Sequence, residues 1–267
     1  MAVERVENLD DPRLADYRHL REPSRRMKVE RARGIFTLEG ALSVEALLAS
    51  SYVVRSVLVA EEHAEKMAAR LGVDVQMFAM AATAMTDLTG VQFHRGILAV
   101  AERPDLPTVR ELIADARTVV VLEGVNDHEN IGALFRNAAA FGVDAVVLDP
   151  STADPLYRRS TRVSLGHVLR VPFARADAWP DALHELRSAG FTTLALTPAA
   201  DAEPLGQVMG ELPSRVALVL GAEGPGLSPA ALAAVDRRVR IPMTAGVDSV
   251  NVATAAAIVL AALHGFG

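Results

Sequence analysis

Short apolar runs alternate with helix-forming stretches along most of this 267-residue chain. The runs IFTLEG, VRSVLVAE, VDVQMFAM and GILAVAE are separated by predicted helices near residues 44–50 and 64–71. Alternation of this kind predicts an α/β layered fold. It is interrupted by RPDLP, residues 103–107, whose two prolines favour a linker. Because the alternation restarts beyond this break, we expect two α/β domains.

The second half of the chain has the stronger strand signals. Its runs TVVVLEGV, DAVVLDP, TTLALTP, RVALVLG and RVRIPM are apolar over most of their length and bounded by Gly and Pro. Such runs predict parallel strands buried between helices. We expect helices near residues 130–141, 179–189 and 249–264, the last rich in alanine, and we expect the RVRIPM strand to end at Met243.

Charge is unevenly distributed along the sequence. The net charge of −6 does not indicate a nucleic-acid-binding protein as a whole. Residues 18–33, however, carry seven Lys and Arg against two Glu, and Arg158, Arg159 and Arg162 form a second cluster. Either cluster can be an ordinary solvated face, but together they keep a polyanion open as a partner.

Composition narrows the chemistry and the setting. The chain has no cysteine, which excludes disulfides, thiolate metal sites and cysteine nucleophiles, and we expect no metal. The start of the sequence lacks an apolar signal core, and no apolar run reaches the roughly 20 residues of a membrane span. We therefore expect a cytoplasmic protein without a membrane partner.

Three polar stretches follow predicted strands, where open parallel sheets place their ligands. The first is NDHENIGALFRNAAAFG, in which Asn130 lies near a helix start and Arg136 lies further along. An Asn here can cap the helix and an Arg can pair with a carboxylate. A helix start with an amide and a guanidinium also suits a phosphate group.

The other two stretches are LVLGAEGPGLS and IPMTAGVDSVNVATAAA. In the former, Gly221, Gly224 and Gly226 allow close approach to the backbone, and a tight turn alone would explain them but not the acid Glu223. In the latter, a loop with Gly246 and Asp248 leads to Ser249 and Asn251, and Ser249 is a candidate N-cap of the last helix.

In this order, the three stretches resemble the motifs of the SpoU/TrmH family of RNA ribose 2′-O-methyltransferases. The matching segments are NIGALFRNAAAFG, LVLGAEGPGLS and IPMTAGVDSVNVATAAAI. GIFTLEG and GILAVAE resemble a small ribosomal-protein-like domain of many members, and DPLYRRSTRVSLG resembles a connecting segment of one subgroup. The chain departs from the family in DHEN, where a Pro often precedes the Asn; His128 and Glu129 stand there instead.

The resemblance implies a fold and an assembly. It predicts an N-terminal extension over residues 1–25 and a small ribosomal-protein-like α/β RNA-binding domain over residues 26–104. Residues 108–267 would form a catalytic α/β domain with a parallel sheet and a deep trefoil knot. Family members are typically homodimers through the knotted domain, so one active site can draw on both subunits.

The resemblance also implies roles for individual residues, with S-adenosylmethionine as the cofactor. The predicted catalytic residues are Asn130, Arg136, Glu223, Ser249 and Asn251, of which Arg136 would hold the RNA phosphate and the ribose hydroxyl. The predicted cofactor contacts are Leu220, Gly221, Gly224, Ile241, Met243 and Val250, with Gly221 needed because a Cβ would intrude on the ligand. The predicted RNA contacts are Arg25, Arg26, Lys28, Arg31, Arg33 and Arg158.

Other functions stay open on the sequence. A non-catalytic RNA-binding or ribosome-assembly protein could keep the same basic segment and a vestigial cofactor site. A nicotinamide-dependent oxidoreductase is disfavoured because no G-x-G-x-x-G follows an early strand. Ribosomal RNA is preferred over transfer RNA as substrate, since a separate N-terminal domain suggests a structured target.

Overall fold

The protein forms two compact units. A computed structural model describes residues 3–71, 75–92, 96–244, 247 and 249–265. The N-terminal unit comprises Met1–Pro104 together with Leu156–Leu169, and the C-terminal unit comprises Asp105–Pro155 and Arg170–Gly267. Gly246 and Asp248, from the loop before the last helix, lie outside the described residues.

The N-terminal unit is built on a five-stranded mixed sheet with the order β1-β4-β3-β5-β2. Strand β4 is parallel to β1 and β3, and β5 is antiparallel to β2 and β3. The strands are β1 (Val3–Arg5), β2 (Ile35–Glu39), β3 (Val54–Ala60), β4 (Met77–Met80) and β5 (Ile97–Glu102). The helices are α1 (Pro23–Arg33), α2 (Ala41–Leu48), α3 (Glu61–Leu71) and α4 (Ala82–Thr89).

The first 25 residues belong to this unit and are not an extension beside it. Strand β1 pairs with β4, and Leu14, Tyr17 and Leu20 are buried in the core of the unit. The Tyr17 hydroxyl lies 2.7 Å from Ser56 Oγ. The buried residues are the regularly spaced apolar residues of LADYRHL, a pattern that the expectation of an N-terminal extension did not take into account.

The N-terminal unit also includes a segment from the second half of the chain. Residues 156–169 contain a short helix, Arg158–Val163, which packs against β2, and Arg158 pairs with Glu39 at the end of that strand. Gly166 lies so close to α2 that a Cβ on it would be 2.5 Å from Ala46 Cβ. The expected catalytic range of residues 108–267 is therefore interrupted here.

The C-terminal unit contains a seven-stranded sheet in which every pairing is parallel. Its strands are β6 (Thr118–Glu123), β7 (Ala145–Leu148), β8 (Phe173–Arg175), β9 (Thr192–Leu196), β10 (Glu203–Pro204), β11 (Val216–Gly221) and β12 (Arg237–Arg240). In chain order, and counting the inserted helix as α7, the helices are α5 (Val109–Ile113), α6 (His128–Ala140), α7 (Arg158–Val163), α8 (Asp181–Ser188), α9 (Leu205–Val208), α10 (Pro229–Ala234) and α11 (Val252–His264).

The order of this sheet is β10-β12-β9-β11-β6-β7-β8. From β6 the chain first builds outward through β7 and β8, and then crosses to the other side to build β9. The sheet therefore changes direction beside β6 and β11. In open α/β sheets, ligands bind outside the carboxyl ends of strands at such a switch point.

Three details differ from the sequence-based expectation. Strand β12 ends at Arg240 and not at Met243, since Pro242 has no N–H to continue the ladder. Helix α11 begins at Val252 and is capped by Asn251, not by Ser249. The short edge strands β8 and β10 were not predicted. No helix in the described ranges is long and apolar enough to span a membrane.

Candidate active site

A cleft in the C-terminal unit lies at the carboxyl ends of β9, β11 and β12 and has a volume of about 610 Å³. The structure brings all six predicted cofactor residues to its lining: Leu220, Gly221, Gly224, Ile241, Met243 and Val250. Three of the predicted catalytic residues, Glu223, Ser249 and Asn251, also line it. Two of the sequence stretches singled out above thus form one cleft.

Three lining residues, Leu196, Thr197 and Pro198, were not predicted from the sequence. They follow β9, whose carboxyl end lies next to that of β11. The signal was present in TTLALTP, because a Thr and a Pro stand directly after a buried strand. The carboxyl-end rule that located the other lining segments applies to this one as well.

The glycine loop, residues 221–227, folds back on its own first residue. Ala222 and Gly226 form an antiparallel bridge, and the Gly226 N–H donates to the Ala222 carbonyl at 3.0 Å. A Cβ on Gly221 would lie 2.3 Å from the Gly226 carbonyl carbon. The loop's own backbone is therefore a sufficient reason for a glycine at this position, in addition to the predicted approach of a ligand.

Asn251 joins the three predicted stretches through its side chain. Its Nδ2 donates to Asn130 Oδ1 and to Glu223 Oε1, each at 2.7 Å. Its Oδ1 accepts from the backbone N–H groups of Ala253 and Thr254 and so caps α11. The amide is fixed in one orientation because its donors and its acceptor face different partners.

Helices α6 and α11 pack side by side behind this polar cluster. Asn137 Nδ2 donates to the Ala253 carbonyl at 2.8 Å. Asn130 is buried in the first turn of α6, whereas the N-cap of that helix is Asp127. Asn130 is therefore available to the cluster and is not occupied in capping.

The turn before α6 is held by a buried carboxylate, that of Asp149. Asp149 accepts from the Gly124 N–H at 3.0 Å, from the Thr152 N–H at 2.7 Å and from Ser151 Oγ at 2.6 Å. Burial by itself raises the pKa of Asp149, but these hydrogen bonds outweigh it and leave the pKa below its ordinary value. Asp149 is therefore a firmly ionised anchor for the turn that leads to Asn130.

Arg136 lies apart from the cleft in this chain. Its side chain is exposed, and among the described residues it makes no hydrogen bond or ion pair. It shares the solvent-facing side of α6 with Glu129 and Ala140, whereas Asn130 and Asn137 face α11. One chain thus assembles the predicted catalytic amides and acid, but does not bring Arg136 to them.

The predicted RNA contacts divide into exposed and occupied side chains. Arg25, Lys28 and Arg31 are exposed on α1. Arg33 is also exposed and pairs with Asp16 at 2.5 Å. Arg158 is mostly buried in its ion pair with Glu39, so much of its charge is already neutralised.

The prediction that Arg26 contacts RNA is wrong. It is 1% exposed, and its Nε donates to Glu30 Oε1 at 2.8 Å while its Nη1 donates to the Asp16 carbonyl at 2.7 Å. Burial raises the pKa of Glu30, against the opposing effects of Arg26 and Thr37. Arg26 therefore organises the interior of the N-terminal unit.

No group of three His, Asp or Glu side chains within the described residues is arranged to hold a metal ion. The fold and the site instead define a class of protein: a parallel α/β domain with a ligand cleft at the switch point of its sheet. The glycine loop lines this cleft, and the polar cluster lies beside it. The cleft volume is in the range of sites for organic cofactors.

The sequence profile of the SpoU rRNA methylase family matches residues 117–261, and the chain belongs to this family. An uncharacterised tRNA/rRNA methyltransferase of Mycobacterium bovis is 46% identical over 96% of this chain and 90% of its own length. The 23S rRNA (guanosine(2553)-2′-O)-methyltransferase of Bacillus subtilis is 28% identical over 98% of this chain and all of its own length.

Among solved structures, an AdoMet-bound rRNA methyltransferase from Sinorhizobium meliloti superposes with a TM-score of 0.81 at 25% identity, over 97% of this chain and 96% of that one. This protein is accordingly an RNA methyltransferase, and its cofactor is S-adenosylmethionine. The cleft fits that cofactor, because it combines apolar side chains with exposed loop backbone and needs no phosphate-binding lysine.

Proposed function

We propose that this enzyme methylates a ribose 2′-hydroxyl in ribosomal RNA. The observation that carries the proposal is the convergence of Asn130, Glu223 and Asn251, from three distant parts of the chain, at the glycine-loop cleft. The Bacillus subtilis relative is a 23S rRNA 2′-O-methyltransferase, which supports both the ribose position and the ribosomal target. Transfer RNA is the alternative substrate.

The reaction needs orientation and proton removal. When bound, S-adenosylmethionine supplies a methyl group already activated by a positively charged sulfur. A ribose hydroxyl is a poor nucleophile at neutral pH, so the protein must align it and provide a path for its proton. The Asn130–Asn251–Glu223 cluster supplies amide and carboxylate groups of fixed orientation beside the cleft.

Arg136 binds the RNA in this proposal. Its guanidinium is always protonated in proteins, so it does not act as the base. It presents two parallel N–H donors, which suit a phosphate together with the neighbouring hydroxyl. The proton then leaves to that phosphate or to water.

The outward position of Arg136 favours an active site shared by two subunits. We propose a homodimer through the C-terminal units, with the family's deep trefoil knot at the interface. In such a dimer, Arg136 of one protomer serves the cleft of its partner. The N-terminal unit, as a ribosomal-protein-like domain, would bind the RNA target with the exposed face of α1.

Subunit mixing tests the shared site. Arg136→Ala protomers are mixed with Gly221→Val protomers, in which the loop clash described above disables the cleft. The homodimer of either variant is expected to be inactive. Mixed dimers regain part of the methyl transfer if the arginine and the cleft of one active site come from opposite chains. Absence of any regained activity in dimers shown to be mixed would place both groups in one chain.

Methyl transfer in vitro tests the reaction itself. The enzyme is incubated with S-adenosylmethionine labelled in the methyl group and with ribosomal or transfer RNA, and the RNA is then digested to nucleosides. Label in a 2′-O-methylnucleoside from ribosomal RNA supports the proposal. RNA binding without transfer would favour the non-catalytic alternative, and label on a base would refute the ribose assignment.

A further inference from the structure

A buried carboxylate next to the glycine loop has no part in the reaction proposed above. Glu123 is the last residue of β6 and is 9% exposed. Its Oε1 accepts from Trp179 Nε1 at 2.6 Å, and its Oε2 accepts from the Ser228 backbone N–H at 2.9 Å. Glu123 is not among the residues that line the cleft.

Ser228 stands immediately after the glycine loop and begins the next helix. Its side chain accepts from the Ala231 N–H at 3.1 Å and caps α10. A hydrogen bond from its own N–H to Glu123 therefore fixes the point at which the loop ends. A backbone N–H that donates to a carboxylate forms one of the stronger types of hydrogen bond.

Glu123 also lies at the point where the loop begins. In the parallel ladder between β6 and β11, Glu123 is the register partner of Gly221. Glu123 thus pairs with Gly221, the first residue of the loop, and accepts a hydrogen bond from Ser228, the residue directly after the loop. Gly224 and Gly226 adopt positive φ and give the loop little intrinsic preference for one shape. A clamp at both ends limits the conformations that such a loop can adopt.

Trp179 orients the clamp. Its ring packs against the apolar core of the C-terminal unit, which includes Leu227 of the loop. The indole N–H engages one carboxylate oxygen of Glu123, so the other oxygen is directed to Ser228. Both carboxylate oxygens accept from donors that the fold holds in place.

We propose that Glu123 is a positioning residue for the cofactor: it acts through Ser228 to hold the glycine loop in its binding-competent shape. This inference rests on the proposed use of the cleft for S-adenosylmethionine. Without the clamp, only a fraction of the molecules has the loop in the binding-competent shape. The apparent affinity for the cofactor falls in proportion to that fraction.

Glu123→Gln tests the proposal by calorimetric titration with S-adenosylmethionine. Gln keeps the shape of the side chain but replaces one acceptor oxygen with an NH₂ group, which must then face a donor. We expect affinity for the cofactor to fall about tenfold, a change that calorimetry resolves readily. Hydrogen exchange of the backbone N–H groups of Gly224 and of residues 226–228 should become faster.

Asp236→Asn is the matched control. Asp236 likewise accepts from a backbone N–H, that of Thr193 at 2.9 Å, and from a side chain, Arg187 Nε at 2.8 Å. It lies at the amino ends of β9 and β12, away from the cleft. Both variants should lower the melting temperature, but only Glu123→Gln should weaken cofactor binding.

Trp179→Phe separates the two halves of the clamp. It removes the indole donor and leaves the Ser228 bond, so it should lower the cofactor affinity by less than Glu123→Gln does. If Glu123→Gln does not fold, this partial loss, with faster hydrogen exchange in the glycine loop, tests the clamp in its place, and an unchanged affinity would contradict it. Parent-like affinity in Glu123→Gln with a lowered melting temperature would make Glu123 purely structural, as would a larger loss of affinity in Trp179→Phe. Failure of the parent enzyme to bind the cofactor would instead contradict the proposed function.

Discussion

Arg136 and Asn251 serve the same proposed reaction, but the fold holds them in different ways. Arg136 is exposed and makes no hydrogen bond or ion pair among the described residues, so its removal should cost little stability. Arg136→Ala should keep its melting temperature and its cofactor affinity, while methyl transfer falls by about a hundredfold or more. Single-turnover transfer to RNA, with calorimetry and thermal unfolding alongside, measures all three quantities.

Arg136→Lys is the matched variant. An ammonium keeps the charge but cannot form two parallel hydrogen bonds. We expect it to retain RNA binding better than turnover. Near-parental turnover by Arg136→Ala would remove this residue from the mechanism, and a collapsed melting temperature would assign it to the fold.

The side-chain oxygen of Asn251 caps α11, whereas its NH₂ group holds the polar cluster together, and one substitution separates these two roles. Asn251→Asp keeps an oxygen to cap α11, but it loses both donors and places a carboxylate against Glu223, which Asn251 Nδ2 contacts at 2.7 Å. We expect turnover to fall by roughly tenfold to a hundredfold, on the scale of a lost hydrogen bond to a charged group plus repulsion. Helix α11 should keep most of its stability.

The double variant Asn251→Asp, Glu223→Gln checks this explanation. A glutamine amide can donate to the introduced carboxylate, so part of the lost activity should return as a coupling energy between the two sites. Additive losses would show that the Asn251–Glu223 contact does not matter to the reaction.

The glycine loop folds back on itself through the Ala222–Gly226 bridge, and Glu123 contacts its two ends. Gly221→Ala would place a Cβ 2.3 Å from Gly226 and must open the loop. We expect it to abolish detectable cofactor binding in calorimetry. Gly210→Ala, at a glycine with nothing within 4 Å of the added Cβ, is the control and should bind as the parent does. Normal binding by Gly221→Ala would mean that the loop adapts at no cost.

The elements that form the cleft were predictable, and the reason is local. An apolar run followed by glycines or a polar residue marks the carboxyl end of a strand, so LVLGAEGPGLS and RVRIPM were placed correctly at one edge of the sheet. The predicted end of β12 and the predicted N-cap of α11 were each wrong by two or three residues. The sequence alone does not decide between neighbouring residues that could all end the strand or cap the helix. Which face of α6 carries Arg136 depends on its packing against α11, which no local pattern reports.

Charge is distributed unevenly over the molecule: its net charge is −6, but the exposed face of α1 is basic. Replacing Arg25, Lys28 and Arg31 together with Gln should reduce the salt dependence of RNA binding, lowering the slope of log K against log salt by about two to three. Cofactor affinity should not change. Filter binding over a range of salt concentrations measures the slope, and an unaltered slope would make this face an ordinary solvated surface.

Arg26 on the same helix provides the contrast. Arg26→Met should leave the salt slope intact and destabilise the N-terminal unit by about 3 kcal/mol, because Glu30 would remain buried without its closest cationic partner. Urea unfolding tests this. Truncation of the entire basic segment would not discriminate, since it would remove β-sheet and core contacts along with the charges.

Sequence patterns predicted two α/β units but not how the chain is divided between them. Arg26 and Glu30 stand four residues apart on a helix, a spacing that also describes a solvated ion pair, and only contacts with Asp16 and Thr37 bury them. The return of residues 156–169 to the N-terminal unit likewise depends on partners such as Glu39, more than a hundred residues away. Long-range pairing of this kind leaves no periodic signal.

In the proposed reaction, this enzyme places a methyl group on a ribose of ribosomal RNA. The most direct measurement maps 2′-O-methyl positions in total RNA from cells with the gene, without it, and with the Arg136→Ala form restored. We predict that a 2′-O-methyl group in ribosomal RNA disappears without the gene and returns with the parent gene but not with the variant. Unchanged ribosomal RNA, or a loss confined to transfer RNA or to base methylation, would contradict the claim.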